Sequence, residues 1–151
     1  MINIKITSPQ EQDLKKILYV DNLVFSDESY SFLTLRQLYD VCGDFFVVAK
    51  KSESEIVGYT IGCPKANTLD SWILALAIDP RYRHQGIGRR LTSYLLSQLK
   101  EIKTNYVFLT VDPQNTIAIN LYSDLGFEFV AYKEDYFGKK SARNIMKKKL
   151  L

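Results

Sequence analysis

The sequence predicts an α/β protein, a mixed sheet flanked by helices with elements in the order β-α-α-β-β-β-α-β-α-β-β. Three observations predict it. Segments with strand-like apolar patterning alternate with segments whose apolar residues recur at helical spacing. The run Trp72-Ile73-Leu74-Ala75-Leu76-Ala77-Ile78 is apolar on both faces, as a strand at the centre of a sheet must be. Capping residues and glycines mark helix boundaries at plausible places along the 151 residues.

Taken in order, Ile2, Ile4 and Ile6 alternate as a half-buried strand does. Ser8-Pro9-Gln10-Glu11 then supplies an N-cap, a proline at the first helical position and a capping-box glutamate. Leu14, Ile17, Leu18 and Leu23 carry that helix's apolar stripe. A second helix runs from about 31 to 42 and stops at Gly43. Strands follow at about 44–51 and 54–63 around a polar turn at Ser52-Glu53, then the central run at 72–78. Ile87, Leu91, Leu95, Leu96 and Leu99 mark a helix over about 86–103. A strand rich in β-branched and aromatic residues spans 106–111, and a short helix over 115–125 ends at Gly126. Two strands, about 127–136 and 141–149, complete the sheet.

This length predicts one domain over residues 1–151. Such a domain buries roughly 68–70% of the surface its unfolded chain exposes and needs no metal or disulfide to hold it. Cys42 and Cys63 have no short spacing, so the expectation is two free thiols and a cytoplasmic protein. No secretory leader and no membrane-spanning run is apparent. The formal net charge of +3 suits a polyanionic small molecule as well as nucleic acid and decides nothing by itself. No His/Cys/Asp cluster has metal spacing.

The most informative stretch is Arg83-His84-Gln85-Gly86-Ile87-Gly88-Arg89-Arg90-Leu91, between a buried strand and an amphipathic helix. Unpaired N–H groups and the positive end of a helix dipole make that junction a site for a phosphate anion. Gly86 and Gly88 remove Cβ atoms from its path, and Arg83, Arg89 and Arg90 add charge. A dinucleotide fingerprint would need a small residue where Leu91 stands, and no P-loop Lys-Ser/Thr follows the glycines. A tight turn with solvated arginines is the alternative. A second constellation lies downstream, where Asn115, Ala118 and Tyr122 fall at i, i+3 and i+7 on one helix face. The small residue leaves room for a ligand to lie between the polar ones.

Read together, Ala77-Ile78-Asp79-Pro80, Arg83-x-x-Gly86-x-Gly88, Asn115 and Tyr122-x-x-x-Gly126-Phe127 resemble the GNAT family of N-acetyltransferases over roughly residues 44–147. Within it, the segment from Asn115 to Phe127 looks most like bacterial ribosomal-protein N-α-acetyltransferases. The resemblance implies a GNAT-like fold with acetyl-CoA as cofactor. It implies that Leu76, Ala77 and Ile78 pair their main chain with the pantetheine arm. His84, Gln85, Gly86, Ile87, Gly88 and Arg89 would hold the pyrophosphate beside Arg83, and Asn115 would touch coenzyme A. The implied partners are acetyl-CoA and an amine acceptor, a peptide N-terminus or a small molecule, with no nucleic acid or membrane, in a monomer or homodimer.

Acetyl transfer to an amine needs a neutral nitrogen, a stabilised oxyanion and a proton for the departing thiolate. Tyr122 is the candidate for the last task, since a phenol with a pKa of about 10 can donate to a thiolate near about 8.5. A main-chain N–H in Leu76–Ile78 is the candidate for the second. The resembled enzymes carry a glutamate base where this chain has Thr110, which takes no proton at neutral pH. An unshifted lysine amine costs about 4 kcal/mol to deprotonate at pH 7.4, and an α-amine under about 1 kcal/mol. Thr110 therefore leans the reading towards an α-amine, with Asp112 or Glu28 as bases acting through water, and lysine or small-molecule amines as alternatives. It also admits a cofactor-sensing module without catalysis. Tyr136 is the candidate to line the amine entrance, while Arg143-Asn144 replaces an acidic pair of the resembled enzymes. His84, the one histidine, falls in the phosphate loop, and Lys139, Lys140 and Lys147–Lys149 read as a solvated edge strand.

Overall fold

The computed structural model describes residues 2–151. Seven strands form one sheet: β1 (Lys5–Thr7), β2 (Phe46–Ser52), β3 (Glu55–Pro64), β4 (Asp70–Ile78), β5 (Tyr106–Val111), β6 (Glu128–Lys133) and β7 (Arg143–Lys149). Four α-helices join them: α1 (Leu14–Phe25), α2 (Phe32–Cys42), α3 (Ile87–Glu101) and α4 (Thr116–Asp124). The strand order is β1-β2-β3-β4-β5-β7-β6, which places β4 at the centre. Every neighbouring pair is antiparallel except β4–β5, which is parallel. A parallel pair requires a crossover, and α3 supplies it.

Each face of the sheet has its own core. On one, Leu91, Leu95 and Leu99 of α3 meet Val107, Leu109 and Val111 of β5, with Tyr122 and Phe127 beside them. Gly62 lets α3 lie close, because a Cβ there would stand 2.7 Å from a Leu95 methyl. On the other face, Leu14, Ile17, Val20 and Leu35 cover Phe46, Val48, Tyr59 and Ile61. No described helix is long and apolar enough to cross a membrane.

Several expectations change. Ile2 is 39% exposed and β1 begins only at Lys5, although Ile4 is buried. The acid that caps the first helical turn is Asp13, not Glu11. Its carboxylate accepts the Gln10 N–H at 2.9 Å and meets Lys50 Nζ at 3.1 Å, so the buried Lys50 on β2 selects it. Glu11 instead pairs with Arg36 on α2. Leu23 is solvent-exposed, and Val20 takes its expected place in the stripe. Cys42 and Cys63 are not free thiols: α2 ends beside β3, their Cα atoms are 5.2 Å apart, and they form a disulfide. A disulfide-bonded pair gives no support to a reducing compartment.

A buried polar junction fixes the connection between α1 and α2. Asp21, 1% exposed, accepts a hydrogen bond from the Tyr59 hydroxyl on β3 and another from the Tyr30 N–H at 2.8 Å. Burial raises the Asp21 carboxyl above its ordinary value, and those two donors pull it back. The turn that carries the chain between the helices includes Ser26 in the left-handed region at φ 49°. Asp21 therefore holds Tyr30, and the turn before it, against the sheet.

Two outcomes test this account. Alkylation of the unfolded but unreduced chain should label neither cysteine, and reduction should lower the unfolding free energy by about 3 kcal/mol for a loop of this length. Tyr59→Phe, which removes a donor from a buried carboxylate, should destabilise by about 1–3 kcal/mol; an unchanged denaturation midpoint would contradict the junction.

Candidate active site

The site starts from an interruption in the sheet. β4 and β5 pair from Asp70↔Tyr106 to Ile73↔Leu109 and no further. On the other side of β4, Gly62 faces Ile73 and Ile61 faces Ala75, which leaves Leu74 as the extra residue of a bulge. The bulge shifts the alternation, so Ile73 packs in the α3 core while Ala75, two residues on, packs against the α1 core. Beyond it the edge of β4 that faced β5 has no strand partner. A cleft of about 730 Å3 opens there, reached by Leu74–Leu76 from β4 and Leu109–Asp112 at the end of β5.

One end of the cleft meets the start of α3. Gly86 sits in the left-handed region at φ 77°, and nothing lies within 4 Å of where its Cβ would be. Among the described residues the N–H groups of Ile87, Gly88 and Arg89 meet no acceptor. Oriented donors at a helix N-terminus, over open space, fit a diphosphate. Gly88 has a packing role: a Cβ there would lie 3.3 Å from a Leu121 methyl of α4, so the two helices approach through it. Ile87 is buried and anchors the turn, while His84 and Gln85 are exposed. Arg83 lines the cleft with its Nε 3.4 Å from the Ile78 carbonyl, and Arg89 lies exposed, 3.4 Å from Asp124. Arg90 does not join them. Its guanidinium donates to the Ile4 carbonyl at 2.8 Å and ties α3 to the N-terminal segment.

The wall opposite β4 comes from α4. Asn115 is its N-cap, with the side-chain oxygen accepting the Ala118 N–H at 3.1 Å, and its amide NH2 remains to donate to a ligand. Asn115, Ala118 and Tyr122 all line the cleft, as their helical spacing requires. Tyr122 is 6% exposed and packs edge-on to Phe127 at 5.6 Å. Its hydroxyl makes no hydrogen bond within the described chain, and burial pushes the phenol well above its ordinary value. Of the β4 trio, Leu76 alone lines the cleft with Arg83 and the α4 residues. Ala77 is buried on the α1 side and Ile78 packs on α3, so those two have only main chain to offer a ligand.

The far end is built by the α1–α2 connection and β7. Glu28 and Arg143 bridge it at 2.6 Å, and the Arg143 guanidinium also donates to the Ala142 carbonyl at 2.7 Å and lies 5.0 Å from the Phe137 ring centre. Thr110 faces the same space. Asp112 lines it too, with one carboxylate oxygen accepting the Gln114 N–H at 2.9 Å. Phe137, not Tyr136, faces the cleft; Tyr136 packs edge-on against it with centroids 4.7 Å apart. Val24, Phe25 and Tyr30 are liners that sequence patterning did not single out, and Tyr30 places its hydroxyl 3.5 Å from the bulged Leu74 carbonyl. Aromatic residues flanking a polar turn were the available signal. No described group of three His, Cys, Asp or Glu residues is placed to hold a metal.

Comparison with known proteins fits this geometry. The acetyltransferase (GNAT) family model matches residues 12–127. The [ribosomal protein bS18]-alanine N-acetyltransferase of Escherichia coli (strain K12) is 32% identical over 68 residues, 45% of this chain and 46% of that protein. The match thus spans about half the length of such curated relatives. An N-alpha-acetyltransferase of Sulfurisphaera tokodaii is 26% identical over 144 residues, covering 88% of this chain and 85% of that one. Among solved structures, Ard1 from Thermoplasma volcanium superposes with a TM-score of 0.90 at 25% identity over 98% of both chains. With the interrupted β4–β5 pairing, the glycine turn before α3 and the Asn115–Tyr122 wall, this chain belongs to the GNAT acetyltransferase family.

Proposed function

We propose that residues 1–151 form one acetyltransferase domain that moves an acetyl group from acetyl-CoA to a primary amine, the α-amine of a peptide or protein N-terminus. The carrying observation is the slot between β4 and β5, with free helix donors at one end and an unpartnered tyrosine hydroxyl in its wall.

Acetyl-CoA supplies a thioester whose carbonyl carbon accepts the amine. The Ile87–Arg89 N–H groups and Arg83 hold its diphosphate, and the unpaired β4 edge past Ile73 aligns its arm as an added strand would. An N–H of that edge takes the developing oxyanion. Tyr122, kept protonated by burial, donates a hydrogen bond to the sulfur as negative charge gathers there. So weak an acid stabilises the departing thiolate through that hydrogen bond. The proton the nitrogen sheds on becoming an amide is the one the sulfur takes, relayed through the hydroxyl or through water so that Tyr122 ends protonated as it began.

The acceptor end offers little base. Thr110 has no carboxylate, Glu28 is taken by Arg143, and Asp112 spends one oxygen on its own turn. That leaves one carboxylate oxygen, on Asp112, to draw a proton from an ammonium. An α-amine, already close to deprotonation at neutral pH, suits such a site better than lysine does.

The same scarcity of base favours a second reading, a module that binds acetyl-CoA and reports on it without transfer. Thiol release from acetyl-CoA, followed across peptides with free or blocked N-termini, lysine and small amines, separates the two. Turnover should be highest with free peptide N-termini, and none with any acceptor would leave only the sensor. Tyr122→Phe should lower kcat by about 100-fold, within the range of a positioned proton donor, with coenzyme A affinity unchanged in calorimetry. A kcat equal to the unaltered chain's would remove Tyr122 from the chemistry.

A further inference from the structure

The lysines near the C-terminal end of the described chain do not blunt an edge. β7 lies between β5 and β6, and β6 is the outer strand. An interior strand has no exposed ladder to protect, so Lys147 and Lys149 call for another account. Register supplies it. The pairs Thr110↔Ile145, Phe108↔Lys147 and Tyr106↔Lys149 put Tyr106, Phe108 and Thr110 on the same face as Arg143, Lys147 and Lys149. Trp72, paired with Phe108 on β4, stacks on it at 5.3 Å. Lys147 Nζ stands 5.0 Å from the Tyr106 ring centre. Trp72, Tyr106, Phe108 and Lys147 are all half-buried, and Lys149 is exposed.

This face is the α1 side of the sheet, but α1 and α2 build their core on β2, β3 and the end of β4. Tyr106 and Phe108 belong to neither core. The aromatic row therefore continues from Thr110, at the acceptor end of the cleft, along β5 to Tyr106. At about 3.3 Å per residue that is about 13 Å, the reach of four extended residues. Glu128 opposes Lys147 from β6 and Asp70 opposes Tyr106 from β4, yet neither lysine makes an ion pair among the described residues.

We propose that this strip is a docking track for the acceptor polypeptide, whose residues beyond the acetylated N-terminus lie along β5 and present carboxylates to Lys147 and Lys149. It rests on the peptide N-terminal reading above and deepens it. The partner is a polypeptide with acidic residues from about its fourth position onward, rather than a small amine. Continuity with the cleft and charge complementarity carry it. Aromatic faces give the chain a surface to lie on, and cations choose its sequence.

The test compares three acceptors: a neutral tripeptide, a nine-residue peptide that begins with it and continues with Asp and Glu, and the same nonamer with Asn and Gln. The acidic nonamer should exceed the tripeptide at least tenfold in kcat/KM and lose that advantage in high salt. K147E/K149E should abolish the advantage and leave tripeptide turnover unchanged. Fluorescence anisotropy of the labelled acidic nonamer, which needs no turnover, should show binding to the unaltered chain and at least tenfold weaker binding to the double variant. Equal kcat/KM across the three peptides, or an acidic preference that survives K147E/K149E, would overturn the track. Binding of single-stranded RNA that the double variant loses, without any peptide preference, would overturn it in favour of nucleic acid. If no peptide releases thiol, the transferase reading fails, and the anisotropy comparison decides the track by itself.

Discussion

Everything in the site depends on β4 and β5 parting company after Ile73. A parallel pair at the middle of a sheet normally continues until one strand ends, because each unmatched main-chain group costs free energy when it is kept from water. Here the bulge at Leu74 turns β4 while β5 keeps its ladder with β7 as far as Val111↔Asn144. The unmatched edge is tolerable because it faces a cleft open to solvent or ligand instead of a packed interior. The two cores lie on opposite faces of the sheet, so the gap between the strands joins them. α3 and α4 border it from one side, and the α1–α2 connection borders it from the other.

The arrangement separates two tasks. On the α3 side, the groups that suit a phosphate are main-chain donors fixed by helix geometry, and the glycine at φ 77° permits that geometry. On the α1 side, the wall is a turn with little regular structure, and a buried carboxylate holds it. Without Asp21 the Tyr30 N–H would lose its acceptor, and the turn would lose its tie to Tyr59. Removing an ionised carboxyl from water is costly. It is sustained here by two donors arriving from different elements, which is how a single side chain fixes an irregular segment.

What was legible in the sequence was periodic or local. The i, i+3, i+7 spacing of Asn115, Ala118 and Tyr122 is a property of one helix, and all three reach one cleft. The glycine turn before Ile87 is equally local. What failed depended on partners far along the chain. Arg90 reads as another phosphate-side cation until the Ile4 carbonyl, 86 residues away, claims it. Cys42 and Cys63 share no recognisable motif and meet only because α2 ends against β3. Tyr136 and Phe137 are neighbours on an irregular loop, where no period says which of them turns inward. The edge reading of the lysine strand failed because strand order in a sheet is not chain order.

The far end of the cleft shows how the residue at position 110 sets a site's electrostatics. A carboxylate at position 110 would stand one cross-strand step from Arg143, since Thr110 pairs with Ile145 and Arg143 follows on the same face. It would compete with Glu28 for that guanidinium. With threonine there, Arg143 has one acidic partner, drawn from the opposite wall, and the pair spans the cleft from the α1–α2 turn to β7. The pair leaves no net charge there, and the carboxylate still without a cation is Asp112, one of whose oxygens is held by its own turn. An aromatic floor of Tyr30 and Phe137 adds no proton acceptor of useful strength at neutral pH. In the proposed transfer the burden of deprotonation therefore falls on the substrate's own pKa, and that property separates a chain's N-terminus from its lysines.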